Sequence, residues 1–160
     1  MRRKLDIVDR RTRSRMMAGI RGRDTKIEVR IRKALWGLGF RYRIPRAKGY
    51  KGLPGIPDMV LPKYRAVILI NGCFFHGHDC HLFRLPKQNR QFWKEKIEKN
   101  RKRDASFSNA RKTLGWKTLI VWECSLRGKT AIPFDLLVEK LSRWVVEGAG
   151  DMELHGESEN

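Results

Sequence analysis

Apolar positions recur at helical spacing from Thr25 to Leu38, where Ile27, Ile31, Ala34, Leu35 and Leu38 share one face. Thr25-x-x-Glu28 reads as a capping box at its start and Gly39 as its stop, so a helix is predicted here. From Phe40 to Ile44 the pattern becomes alternating, as in a half-exposed strand, and a Gly- and Pro-rich loop follows from Pro45 to Pro57. Two strands come next: Asp58 to Leu61, short and preceded by a proline, and Ala66 to Ile70, apolar enough to be central in a sheet. A loop rich in Gly, His and Cys spans Asn71 to Pro86. A long helix is predicted from about Arg90 to Leu114, with Phe92, Trp93, Ile97, Phe107 and Leu114 as its apolar points and Gly115 as its stop. Trp116 to Trp122 reads as another central strand, and Phe134 to Val146 as an amphipathic helix marked by Leu137, Leu141, Trp144 and Val145. A short basic helix fits Asp9 to Ile20. The order predicts an α/β fold: a small mixed sheet flanked by helices.

Length and charge sharpen this picture. The 160 residues suit one domain, read as residues 1–147 with a basic N-terminal segment over about 1–23. Gly148 to Asn160 is acidic, has no apolar periodicity and is expected to be a mobile tail. Lys and Arg number 36 against 17 Asp and Glu, a net charge of +19, while 41% of residues remain hydrophobic. Self-repulsion of that size destabilises a compact chain unless a polyanion is its partner, which favours nucleic acid over an anionic lipid surface or a merely solvated basic face. The longest strictly apolar run, Ala66 to Ile70, is far short of the roughly 20 residues of a membrane span, and the first ten residues lack a signal-peptide apolar region. A cytoplasmic, nucleoid-associated protein is expected.

Three cysteines cannot close a disulfide framework. Cys73, Cys80 and Cys124, with one imidazole, instead make a closed tetrahedral zinc set if adjacent strands bring the loop at 73–80 beside Cys124. Spacing alone allows His76, His78 or His81 as the fourth ligand; the simpler reading is free thiols. Such a closed set leaves no open position for chemistry, so the zinc would be structural.

Among the few acids, Asp58 opens a strand while the next strand ends near Asn71, at the same sheet edge. A carboxylate there can hold Mg²⁺, which suits phosphodiester cleavage by neutralising phosphoryl charge and activating water. Glu28 can approach from a separate element, and His76 can act as general base because imidazole titrates near neutral pH. The corresponding simpler readings are a strand start, a capping-box acid and a solvent-facing histidine.

Leu53-Pro54-Gly55-Ile56-Pro57-Asp58, the run from Asn71 to Cys80, Phe92-Trp93-x-x-Lys96-Ile97-x-x-Asn100-x-x-x-Asp104, Leu114-Gly115-Trp116 and Val121-Trp122-Glu123-Cys124 together resemble the very-short-patch (Vsr) DNA mismatch endonucleases, as does Thr12-Arg13-Ser14. The resemblance implies a restriction-endonuclease-like fold with one structural zinc. It also implies a Mg²⁺-dependent site that nicks double-stranded DNA 5′ of the mismatched thymine in T:G pairs, which arise when 5-methylcytosine deaminates. Matched residue by residue, Asp58 would bind Mg²⁺ with the backbone carbonyl of Ile70, His76 would be the general base and Glu28 would support the site. Cys73, His78, Cys80 and Cys124 would hold zinc. Phe74, Phe75 and Trp93 would wedge beside the mismatch, and Met16 or Met17 with Lys96 and Asn100 would read it and its flanks. Asn71 stands where the family carries histidine or aspartate; it remains a candidate site residue through hydrogen bonding. Phe75 replaces another aromatic. The resemblance further implies a functional link to a cytosine-C5 methyltransferase and to mismatch-repair proteins, and nicking one strand needs only a monomer.

Two other readings compete. One is a zinc-stabilised DNA-binding protein whose nuclease site is weakened at Asn71; the other is a nuclease of this fold acting on a different DNA structure.

Overall fold

The computed structural model describes residue 11 and residues 25–157. Apart from Arg11, the helix expected over Asp9 to Ile20, with Met16 and Met17, lies outside the described residues.

Helix α1, Lys26–Gly37, starts where expected: Thr25 is its N-cap, its hydroxyl accepting from the Glu28 N–H at 3.3 Å. Ile31 and Leu35 are fully buried on its inner face, and on the same helix Glu28 and Arg32 pair at 3.4 Å in a buried setting. Strand β1, Met59–Leu61, runs antiparallel to β2, Ala66–Asn71, through the turn Pro62–Tyr64. Helix α2, Arg90–Thr113, carries the chain to β3, Lys117–Trp122, which lies parallel to β2. Helix α3, Phe134–Glu147, then leads to β4, Met152–Leu154, parallel to β3. The sheet order is β1-β2-β3-β4, so the α/β expectation holds.

Strand alternation divides the interior. Met59, Leu61, Ala66, Ile68, Leu119 and Val121 face α1 and α3, where Ile31, Leu35, Leu137, Leu141 and Val145 complete the main core. Val60 and Val67 turn the other way, onto Leu53, Tyr50 and Trp116. Each of the Leu, Ile, Val and Met side chains among these stabilises the fold by about 1.5–3 kcal/mol on full burial. Helix α2 differs: of its 24 residues only Ile97 and Arg111 are buried, and the expected apolar point Phe92 is exposed, as is Leu114 at its C-cap.

Two expectations are corrected. Phe40 to Ile44 is not a strand; its pairing is a single bridge between Arg43 and Val60, because β1 offers only three residues and its other edge pairs with β2. Residues 148–157 are not a mobile tail. They carry β4, held by Leu154 in the core, by Thr118 N–H donating to Asp151 at 2.8 Å, and by the Trp144 indole donating to Gly150 at 2.8 Å. A three-residue strand with one inward residue has no periodic apolar signal, and the open edge of β3 recruits it. No helix among the described residues is long and apolar enough to cross a membrane.

Candidate active site and metal cluster

Antiparallel pairing sets the start of β1 beside the end of β2. Asp58 is fixed there twice: its N–H donates to Ile68 at 3.1 Å, and its Oδ2 accepts the Ile70 N–H at 2.6 Å. The chain leaving Asn71 folds back through His76 N–H to Gly72 (3.3 Å) and His78 N–H to Cys73 (2.9 Å). Gly77 makes this possible: its φ is +64°, and a Cβ would sit 2.7 Å from Ile97 of α2. The turn brings His76 Nδ1 to 2.5 Å from Asp104 Oδ2 on α2. Asp58, Ile70, Asn71, His76 and Asp104 thus line one cleft of about 430 Å³.

Glu28 faces a second cleft of about 580 Å³, with Phe75 and Glu123; Ile70, Asn71 and His76 are shared between the two. The structure therefore gathers Asp58, Ile70, Asn71 and His76 in one cleft and places Glu28 in the adjoining cleft that shares Ile70, Asn71 and His76 with it. Asp104 and Arg111, both lining the first cleft, were given no role by sequence reasoning. Asp104 falls inside a recognised motif, which was its only signal; Arg111 had none.

The parallel register sets Asn71 opposite Trp122, so the chains leaving β2 and β3 emerge side by side. Cys73, His78, Cys80 and Cys124 meet there, with all four ligand atoms within 4.8 Å of one another. Geometry resolves the choice of histidine among the described residues in favour of His78, whose Nδ1 lies 3.5 Å from Cys73 Sγ and 3.6 Å from Cys124 Sγ. Tetrahedral zinc with ordinary Zn–S and Zn–N bonds requires a sulfur-to-nitrogen separation of about 3.5 Å. The residues therefore fit the ion. Burial pushes the Cys73 and Cys124 thiols up and the His78 imidazole down. Three thiolates this close repel unless a cation joins them. The surroundings also hold the ligands: Cys124 N–H donates to Cys73 Sγ (3.3 Å), Gly156 N–H to Cys124 Sγ (3.2 Å), and Glu123 accepts the Cys73 N–H (3.1 Å). The His78 ring stacks on Trp122 at 4.3 Å.

Phe74, Phe75 and Trp93 form one aromatic cluster, with Phe74 5.2 Å from each of the other two ring centroids, and Phe75 is 43% exposed. Lys96 Nζ sits 5.5 Å over Trp93, and Asn100 donates to the Phe75 carbonyl at 2.9 Å. Met16 and Met17 lie outside the described residues.

A mixed sheet carrying an acid–imidazole cleft at one edge, beside a cysteine–histidine cluster that could hold one metal ion, defines a small α/β protein with two separate centres. The family model for DNA mismatch endonuclease Vsr matches residues 5–82. The chain is 45% identical to the DNA mismatch endonuclease Vsr of Escherichia coli over 145 residues, 90% of each chain. It is 42% identical to the type II nicking enzyme V.NmeAIP of Neisseria meningitidis over 142 residues, covering 89% of this chain and 95% of that one. A type II nicking enzyme of Xanthomonas oryzae, V.XorIIP, is 40% identical over 69% of this chain and 79% of its own. The chain belongs to the Vsr family of DNA mismatch endonucleases.

Proposed function

We propose that this enzyme is a Mg²⁺-dependent, strand-specific endonuclease that nicks duplex DNA 5′ of the mismatched thymine in T:G pairs left by 5-methylcytosine deamination. The observation that carries the reading is the His76–Asp104 pair on the same cleft as Asp58. With Asp104 accepting from Nδ1–H, the lone pair of His76 Nε2 is available to take a proton from water. Asp58, held by Ile70, presents its carboxylate to the cleft. Strand groups alternate sides, so the Ile70 carbonyl faces the way its N–H does, toward Asp58. Carboxylate and carbonyl oxygens form the donor set Mg²⁺ prefers. When bound there, Mg²⁺ neutralises charge building on the phosphoryl group and favours ionisation of water. Asn71, 8% exposed and shared by both clefts, donates or accepts hydrogen bonds but takes no proton, and Glu28 supports the site from the adjoining cleft.

Cys73, His78, Cys80 and Cys124 hold a structural zinc in this reading. Phe74, Phe75 and Trp93 supply the apolar wedge: a T:G wobble pair costs less to unstack than a matched pair. Met16 or Met17, Lys96 and Asn100 read the mismatch and its flanks. The enzyme acts as a monomer in the cytoplasm at the nucleoid, downstream of a cytosine-C5 methyltransferase and alongside mismatch-repair proteins.

The test is nicking of end-labelled duplexes that differ only as T:G or T:A at one position, with Mg²⁺ or EDTA, by the protein and by Asp58→Ala. One Mg²⁺-dependent cut 5′ of the mismatched thymine, lost in Asp58→Ala, is expected. Binding without any cut would favour the reading supported by Asn71, a DNA-binding protein with a weakened nuclease site.

A further inference from the structure

Arginine is almost never fully buried without a countercharge, yet Arg111, near the end of α2, is only 2% exposed. Burial lowers its pKa; Asp151 and Asp104 oppose that shift through space, but neither forms an ion pair with it among the described residues. A leucine would fill the same volume without the cost of desolvating a guanidinium. The group makes two hydrogen bonds across the molecule: Nη1 donates to the Pro54 carbonyl at 3.1 Å, and Nε donates to Thr118 Oγ1 on β3 at 3.1 Å. Thr118 is itself 2% exposed, and its N–H is tied to Asp151 ahead of β4.

Pro54 belongs to the segment Leu53-Pro54-Gly55-Ile56-Pro57-Asp58, whose last residue is the cleft carboxylate. The segment passes close to the guanidinium: Gly55 has φ +76°, and a Cβ there would be 3.2 Å from both Arg111 Nη1 and the Phe107 ring. Gly55, Asp58 and Arg111 all line the first cleft. The Asp58 end is pinned by Ile68 and Ile70. Without Arg111 the Pro54 end would lose its tie to α2 and β3.

We infer that Arg111 is a positioning residue for nicking, clamping the loop that presents Asp58 against α2 and β3. The inference rests on the role proposed for Asp58. Carboxylate placement is exacting, since a shift of about 1 Å in a reacting group costs on the order of 100-fold in rate. The charge matters as well as the fork, because a buried cation lining the cleft favours an anionic phosphodiester there.

The test compares Arg111→Met, Arg111→Lys and Thr118→Val with the parent protein and with Asp58→Ala. The readouts are kcat and KM for nicking a T:G duplex, and hydrogen exchange over residues 53–60. Arg111→Met is expected to lower kcat by about 10- to 100-fold while KM changes by less than about threefold. Exchange over residues 53–60 quickens in that variant. Arg111→Lys, which keeps the charge and one donor, recovers most of the lost rate. Thr118→Val leaves Nε unaimed and gives a smaller loss of the same kind, and it carries the test if Arg111→Met does not fold. Folded variants with parental kcat and exchange, alongside an inactive Asp58→Ala, overturn the inference alone. An Asp58→Ala protein that nicks at the parental rate overturns the role of Asp58 and the inference with it.

Discussion

His76 and Asp104 lie 28 residues apart in sequence and 2.5 Å apart in space. Such a contact has no local pattern, which is why the histidine was legible in the sequence and its partner was not. Asp58 and Asn71 were legible because a strand start and a strand end mark one sheet edge whatever the side chains beyond them. Asp104→Asn removes the carboxylate that selects the imidazole tautomer, so kcat is expected to fall by about 10²- to 10⁴-fold with KM little changed; steady-state nicking kinetics check this, and parental kcat would show that Asp104 does not set the base. At Asn71, a carboxylate adds an oxygen donor of the kind Mg²⁺ takes. Asn71→Asp is expected to preserve or raise the nicking rate, and an inactive but folded variant would sink that view.

Elements with their own hydrophobic period were read well: α1, β2, β3 and α3 appear within a residue or two of the predicted ends. What failed depended on pairing. Phe40 to Ile44 alternates correctly but finds one bridge, and β4 has no alternation worth reading yet completes the sheet. Helix α3 shows a related dependence, for it has no basic residue in its last turn. Lys117 of β3 supplies the charge instead, its Nζ donating to the carbonyls of Trp144, Val145 and Gly148 at 2.9, 2.8 and 2.7 Å. Lys117→Met removes those bonds and is expected to cost about 1.5–3 kcal/mol, read as a lower midpoint in denaturant with an unchanged slope. An unchanged midpoint would mean that water caps the helix as well.

For the whole molecule, the charge of +19 makes association with DNA a matter of counterion release. Affinity is expected to fall linearly on a log–log plot against salt, with a slope of several units; a flat response would argue against a phosphate-tracking surface. The two centres are also linked mechanically, because Asn71 of the cleft and Cys73 of the cluster are separated by one residue. Stripping the cluster with a zinc chelator is therefore expected to abolish nicking in a way that Mg²⁺ does not reverse and Zn²⁺ does. Full activity at a metal content of zero zinc would refute the Cys3His assignment. The cluster also orders the protein's assembly in time. Cys73, His78 and Cys80 leave the ribosome well before Cys124, and the Gly156 N–H that donates to Cys124 Sγ leaves last. A nascent chain thus carries three ligands of an open site, accessible to a thiophilic ion, until Cys124 emerges, and the Gly156 N–H joins the completed set only after the final strand.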